Sequence, residues 1–312
     1  MVVSPHILFH KCYSKYAIAA VNVFTMEQIH GLFRAGEKAN APFIVQITPV
    51  SRNYAHPKML IGMIRAAAKI YSKAKFAVHL DHGVESHVFD AIDSESYDSV
   101  MIDASHDDFR QNVKRTRAVV EKAKAKHIFV EAELGVLSGV EDDISIDEKM
   151  AKYTHPDEAL QFVNETQCNS LAVAVGTSHG AYKFSGGQGI QFDILEKIQK
   201  LLPEFPLVLH GGSSVDLEEV NKINNSGGKL EKTASGVAPE EVVKSISYGI
   251  CKINIATDTR ILWARIHREF FKDNPDQFDP IVPGKQYIEA YEKFMINKFD
   301  LLKATGKANQ FN

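Results

Sequence analysis

The run Phe76-Ala-Val-His-Leu-Asp-His-Gly83 decides how the rest of the chain is read. Phe76, Val78 and Leu80 put apolar side chains at every second position, the period of a strand. The run stops on Gly83, and a helix-like pattern follows from 84 to 94. An acid and an imidazole therefore sit where a strand gives way to a loop. Parallel α/β proteins place their active sites at that end of the strands. Adjacent strand residues point to opposite faces. Asp81 and His82 can act on one substrate only if the chain turns there and brings both into one pocket.

Working outward, strand-like runs at 16–23, 43–47, 76–81, 99–103, 127–133, 171–175, 207–210 and 249–254 alternate with longer helical patterns. The helical patterns lie at 26–39, 56–71, 84–94, 109–126, 156–166, 192–202 and 259–271, with one more at 286–303. This order predicts a (β/α)8 barrel with an extra C-terminal helix, in a single domain over residues 1–312. A doubly wound sheet is the second choice. Two insertions stand out, an acidic stretch at 138–149 and a longer one at 215–240. Loops of that length at the mouth of a barrel often serve as lids or binding loops.

Composition excludes several classes. The net charge of −3 gives no reason to expect a nucleic acid or an anionic membrane as partner. Cys12, Cys168 and Cys251 are isolated and odd in number, which argues against a disulfide framework and a thiolate zinc site and fits a reducing, cytoplasmic setting. No apolar run is long enough to span a bilayer, and residues 1–11 are too short and too polar for a signal peptide. The glycine-rich run 185–189 lacks the GxGxxG spacing of a dinucleotide fingerprint.

The polar residues fall where the predicted strands end. Asp81 and His82 end the third and Asp103 the fourth. Glu131 and Glu133 lie on the fifth, His179 and Gly180 follow the sixth, His210 to Ser213 end the seventh, and Asn254 ends the eighth. In a barrel all of these face one mouth. Three neutral imidazoles (His82, His179, His210) with an open fourth position would form a catalytic zinc site. Asp81 beside it would be a general acid/base, or else a helix cap or ion-pair partner. Asp103 and Glu133 would orient the metal histidines, offer a second metal position, or pair with a cation. Gly180, Gly211 and Gly212 suit either a phosphate nest or a plain turn, and Lys183 and Ser213 add a cation and a hydroxyl nearby. Arg260 is either a phosphate contact or a solvated surface residue.

At this level of detail the chain resembles a known family. His79-Leu-Asp-His-Gly83, Met101-Ile-Asp-Ala-Ser105, Glu131-Ala-Glu-Leu-Gly135, Gly139-Val-Glu-Asp142, Gly176-Thr-Ser-His-Gly-Ala-Tyr-Lys183, Leu209-His-Gly-Gly-Ser213 and Lys252-Ile-Asn254 occur in the order found in the class II, zinc-dependent fructose-bisphosphate/tagatose-bisphosphate aldolases. The resemblance implies that His82, His179 and His210 hold Zn2+ and that Asp81 handles the proton of the substrate C4 hydroxyl. Asp103 and Glu133 match positions for a second divalent metal or a withdrawn zinc. Glu141 matches a mobile-loop glutamate that moves the proton next to the ketone. Gly180, Lys183, Gly211, Gly212 and Ser213 match the cradle of one phosphate, with a monovalent cation (Na+ or K+) beside it. Asn22, Asn254 and Thr257 match further substrate contacts, and Thr48 stands at another, where a serine is usual. Arg260 matches an arginine that reaches the neighbouring subunit's other phosphate, which implies a homodimer or homotetramer.

The implied reaction is cleavage of fructose 1,6-bisphosphate to dihydroxyacetone phosphate and glyceraldehyde 3-phosphate. Ala256, an alanine usual in tagatose-type members, leaves the tagatose epimer as the alternative substrate, whereas Arg260 is the fructose-type choice. Other readings are a Schiff-base aldolase acting through Lys252, a barrel metallohydrolase, and a non-catalytic sugar-phosphate-binding barrel.

Overall fold

The computed structural model describes residues 1–137, 139–141, 144–146, 152–178, 189–230 and 236–311. Eight parallel strands close into a barrel: β1 (Ile18–Asn22), β2 (Phe43–Ile47), β3 (Phe76–Gly83), β4 (Ser99–Ile102), β5 (Phe129–Leu134), β8 (Ser170–Val173), β9 (Leu207–Leu209) and β10 (Ile250–Ile255). Two further strands, β6 (Gly139–Glu141) and β7 (Ile144–Ile146), pair antiparallel in a hairpin after β5. That hairpin occupies the acidic stretch, where the sequence shows only a polar insertion. The barrel strands are buried along their whole length, as strands covered by helices must be.

The helices return the chain from each strand to the next. They are α2 (Met26–Lys38), α4 (Pro57–Ile70), α5 (Glu85–Asp93), α6 (Phe109–Lys124), α7 (Pro156–Thr166), α8 (Phe192–Leu201), α10 (Pro239–Ser245) and α11 (Thr257–Asp273). Thr25 and Gln28 start α2 as a capping box, and Asp108 caps α6. The extra C-terminal helix, α12 (Ile281–Leu301), lies against α2. A Cβ on Gly31 would stand 2.9 Å from Tyr291 Cδ1, so the small residue lets the two helices approach.

Further helices go beyond the sequence expectation. The helix expected over 56–71 is α4, and a short helix that the sequence reading did not place, α3 (Pro49–Ala55), precedes it, the two separated by His56, which takes φ 63° ahead of Pro57. A residue before proline is pushed out of the helical region. The insertion at 215–240 contains α9 (Leu217–Asn225), capped by Asp216. At the other end of the chain, α1 (Pro5–Cys12) packs Phe9 edge-on against Phe129, the first residue of β5, at 5.2 Å. It therefore covers the barrel floor, opposite the mouth. Its eight residues are too few for a decisive helical period.

Also at the floor, Asp98 accepts a hydrogen bond from Val78 N–H at 2.7 Å. Burial pushes its carboxyl up to about 6 despite that bond. A raised acid favours folding while it is protonated, and the advantage is lost as pH rises through about 6. Asp98→Asn keeps the acceptor and removes the charge. It is expected to stabilise the protein by roughly 2 kcal/mol at pH 8 and by nothing near pH 4. Denaturant melts of both proteins at the two pH values check this, and an equal gain at both would refute it.

Candidate active site

Barrel interiors are usually filled by branched apolar side chains. Here polar residues fill the upper part. Inward-facing positions recur with period two: Asn22 on β1, Gln46 on β2, His79 and Asp81 on β3, Glu131 and Glu133 on β5, and Lys252 and Asn254 on β10, all buried. Burying so many polar groups is tolerable only because they satisfy one another.

Asp81 is fully buried and held by three amides. Asn22 Nδ2 and Gln46 Nε2 donate to Oδ2, each at 3.2 Å, and Asn254 Nδ2 donates to Oδ1 at 3.1 Å. A carboxylate offers about four acceptor positions, so one remains, on Oδ1. Burial alone would raise the Asp81 carboxyl, but the charges of His82, Lys252 and His210 and the Asn22 bond together hold it below its usual range. It is an ionised base at neutral pH.

The side-by-side placement of Asp81 and His82 has a local cause. Between Leu80 and Gly83, β3 gains one residue against β4, a bulge, and His82 sits at φ 49°. A bulge re-aims side chains at the end of a strand. A non-glycine residue in the left-handed region is uncommon and often functional. The turn brings ligand atoms of Asp81, His82 and His210 within 4.8 Å of one another.

Both histidines have one ring nitrogen held by a carboxylate. His82 Nδ1–H donates to Asp103 Oδ2 at 2.8 Å, and Asp103 Oδ1 accepts from the Ser105 hydroxyl at 2.9 Å. Burial would raise the Asp103 carboxyl, yet the His82 bond, its charge and Ser105 bring it well below the usual range. His210 Nε2–H donates to Glu131 Oε1 at 3.0 Å, and Nδ1 lies 3.6 Å from Glu133 Oε2. Such partners fix which nitrogen carries a lone pair, as they do for metal-binding imidazoles. The rings meet edge-on with centroids 4.7 Å apart. A second cluster, His82, Asp103 and Glu133, also has ligand atoms within 4.8 Å. The donor set therefore fits a divalent cation. His179, Gly180 and Lys183 lie outside the described residues, as does the Glu141 side chain, whose backbone belongs to β6.

The loop after β9 is tied down. Gly211 has φ 62°, and a Cβ there would stand 2.4 Å from the Ser178 carbonyl oxygen, so only glycine fits. Ser214 and Val215 N–H donate to Asp258 at 3.1 and 2.9 Å, and Asp258 pairs with Lys298 of α12 at 2.8 Å. Ser213 and Gly212 are buried, Gly212 lies beside the Asn254 carbonyl, and Thr257 is the first residue of α11. Thr48 caps α3 through Ser51 N–H at 3.2 Å. Arg260 stands apart from this cluster. Its guanidinium lies 4.9 Å from the centre of the Phe24 ring, in an outer groove of about 490 Å3 shared with Tyr54 and Trp263.

Sequence reasoning named neither Gln46, His79 nor Asp258 for the site. For Gln46 and His79 the signal was available: each lies two residues along a strand from, or level with, a named residue. Lys252 entered only through a competing reading, a Schiff-base aldolase. Its Nζ is clamped 2.9 and 3.0 Å from the two Glu131 oxygens.

A closed parallel barrel with imidazoles and carboxylates gathered at its strand ends is the framework of a metal-dependent barrel enzyme. A family model described as "Fructose-bisphosphate aldolase class-II" matches residues 5–307. The fructose-bisphosphate aldolase of Thermus caldophilus is 40% identical over 94% of this chain and 95% of its own. That of Giardia intestinalis is 38% identical over 95% and 91%. The crystal structure of the YdjI aldolase from Escherichia coli K12 superposes with a TM-score of 0.75, at 27% identity over 98% of this chain and 99% of its own. The chain belongs to the class II fructose-bisphosphate aldolase family, lyases whose chemistry calls for a divalent metal. Among the described residues, no helix is long and apolar enough to cross a membrane.

Proposed function

We propose that the protein is a zinc-dependent aldolase that cleaves fructose 1,6-bisphosphate to dihydroxyacetone phosphate and glyceraldehyde 3-phosphate, and runs the reverse condensation. The observation that carries this reading is the Asp81 carboxylate, ionised, held by three amides and within 4.8 Å of the ligand atoms of His82 and His210. His82 and His210, with His179, would hold the metal, and Asp103 and Glu133 would orient the imidazoles or take a second divalent ion. A bound zinc ion would act as a Lewis acid on the substrate ketone.

Asp81 takes the C4 hydroxyl proton through the acceptor position left on Oδ1. The C3–C4 bond breaks, C4 becomes the aldehyde carbon, and the electron pair stays with the ketone fragment at C3. Glu141 delivers a proton there. Gly211, Gly212 and Ser213, with Gly180 and Lys183, would grip one phosphate beside a monovalent cation, Na+ or K+. Asn254 keeps Asp81 in place, and Asn22 does the same from β1. Thr48 and Thr257 stand at strand and helix ends where a sugar hydroxyl would come. Gripping both ends of the substrate removes rotational freedom before the bond breaks. Arg260 would serve the second phosphate from a neighbouring subunit of a homodimer or homotetramer, and a cytoplasmic setting suits the three free thiols.

A second substrate reading rests on Ala256, the residue just before α11, which favours tagatose 1,6-bisphosphate. Cleavage rates of the two bisphosphates, measured on one metal-loaded preparation, test both. The fructose epimer is expected to be cleaved faster. A chelator should abolish turnover, and added zinc should restore it. Absence of cleavage with either sugar would refute the proposal.

A further inference from the structure

Beneath the mouth lies a group of charged side chains that the reaction steps above do not use. Lys252 on β10 has no solvent exposure. Its Nζ lies 2.9 and 3.0 Å from the two Glu131 oxygens, 3.4 Å from His79 Nε2 and 4.0 Å from Asp81 Oδ1. His79 is fixed from its other side, with Nδ1 2.8 Å from Ser99 Oγ. Ligand atoms of His79, Asp81 and Glu131 lie within 4.8 Å of one another, the spacing of a metal-binding trio, and the ammonium group lies among them. Glu131 is shared, because the oxygen 3.0 Å from Lys252 also accepts from His210 Nε2 at 3.0 Å.

One connected series therefore runs from Asp81 through Lys252 and Glu131 to His210. An ion pair this deep in a fold is often no more stable than apolar residues of the same volume, so stability alone is a weak reason for it. We propose that Lys252 is a positioning residue for the aldol reaction. Its ammonium takes the place of a second cation inside the barrel, keeps Glu131 on His210, and supplies a fixed positive charge behind Asp81. The role rests on the assignments of Asp81 and His210 made above. It differs from a Schiff-base role because Lys252 never touches the substrate.

The test uses the full-length, metal-loaded protein. Lys252→Met keeps most of the side-chain volume and removes the charge. It is expected to lower kcat roughly 100-fold, the effect of a small misplacement of reacting groups, with KM unchanged. Metal affinity should fall roughly 10-fold, as when a partner behind a metal-binding histidine is lost. The double variant Lys252→Met/Glu131→Gln removes both charges together. It should melt near the wild-type temperature and still turn over slowly.

Wild-type kcat in the single variant would overturn the proposal. Wild-type kcat in the double variant would do so too, since Lys252 would then only offset the Glu131 charge. If the single variant does not fold, the double variant decides. Asp81→Asn, measured alongside, separates the two claims. Full activity there would sink the assignment of Asp81, whereas an inactive Asp81→Asn beside a fully active Lys252→Met would remove only the role of Lys252.

Discussion

Asp81→Ala is expected to lower kcat by roughly 10^3-fold, within the range that a positioned acid or base contributes, while the protein keeps its metal. The point of measuring metal is geometric. The Asp81 ligand atom lies within 4.8 Å of those of His82 and His210, so the carboxylate stands close enough to be a metal ligand itself. Its three amide bonds argue otherwise, since Asn22, Gln46 and Asn254 already occupy most of its acceptor positions. Loss of turnover with metal content unchanged, by elemental analysis, supports the acid/base role. Loss of both would make Asp81 a ligand, and near-normal turnover would refute either role. The substitution also takes an acceptor from three buried amides, of which Gln46 keeps Asn22 Oδ1 at 2.7 Å, at about 1–3 kcal/mol for each donor that finds no water. Activity should therefore be compared below the onset of thermal unfolding.

His210→Ala should behave in the opposite way. The imidazole is fully buried and braced at Nε2 by Glu131, with Nδ1 beside Glu133, so its loss removes a pre-oriented ligand. Metal affinity should fall by more than the roughly 10–100-fold that loss of an outer partner costs. Activity should disappear with the metal and return only in part when metal is supplied in excess. Stoichiometric metal and full turnover in dialysed protein would refute the assignment. The pair of variants thus separates holding the cation from moving the proton.

The barrel was legible in the sequence because parallel strands covered on both sides read as short apolar runs, and Phe43–Ile47 and Pro156–Thr166 fall where the pattern places them. The short helix Pro49–Ala55 was not, because seven residues are too few to show a helical period. The hairpin Gly139–Glu141 with Ile144–Ile146 was hidden because strands of three residues are too short to show a period. In the site, residues that end strands were named from chemistry and position, and the structure brings Asp81, His82 and His210 together. Gln46 and His79 were passed over because glutamine and histidine inside a strand are ordinarily packing residues, and their meaning depends on which way the strand faces. The contact between Lys252 and Glu131 joins residues 121 positions apart, which no local pattern reports.

The single extra residue in β3 has a consequence for anyone transplanting this centre. Copying the side chains of His79, Asp81 and His82 onto another eight-stranded barrel would not reproduce it. On a regular strand the second imidazole would point into the surrounding helices. What has to be carried over is the backbone slip between Leu80 and Gly83, so the heritable unit of this chemistry is a kink in the main chain as much as a list of amino acids.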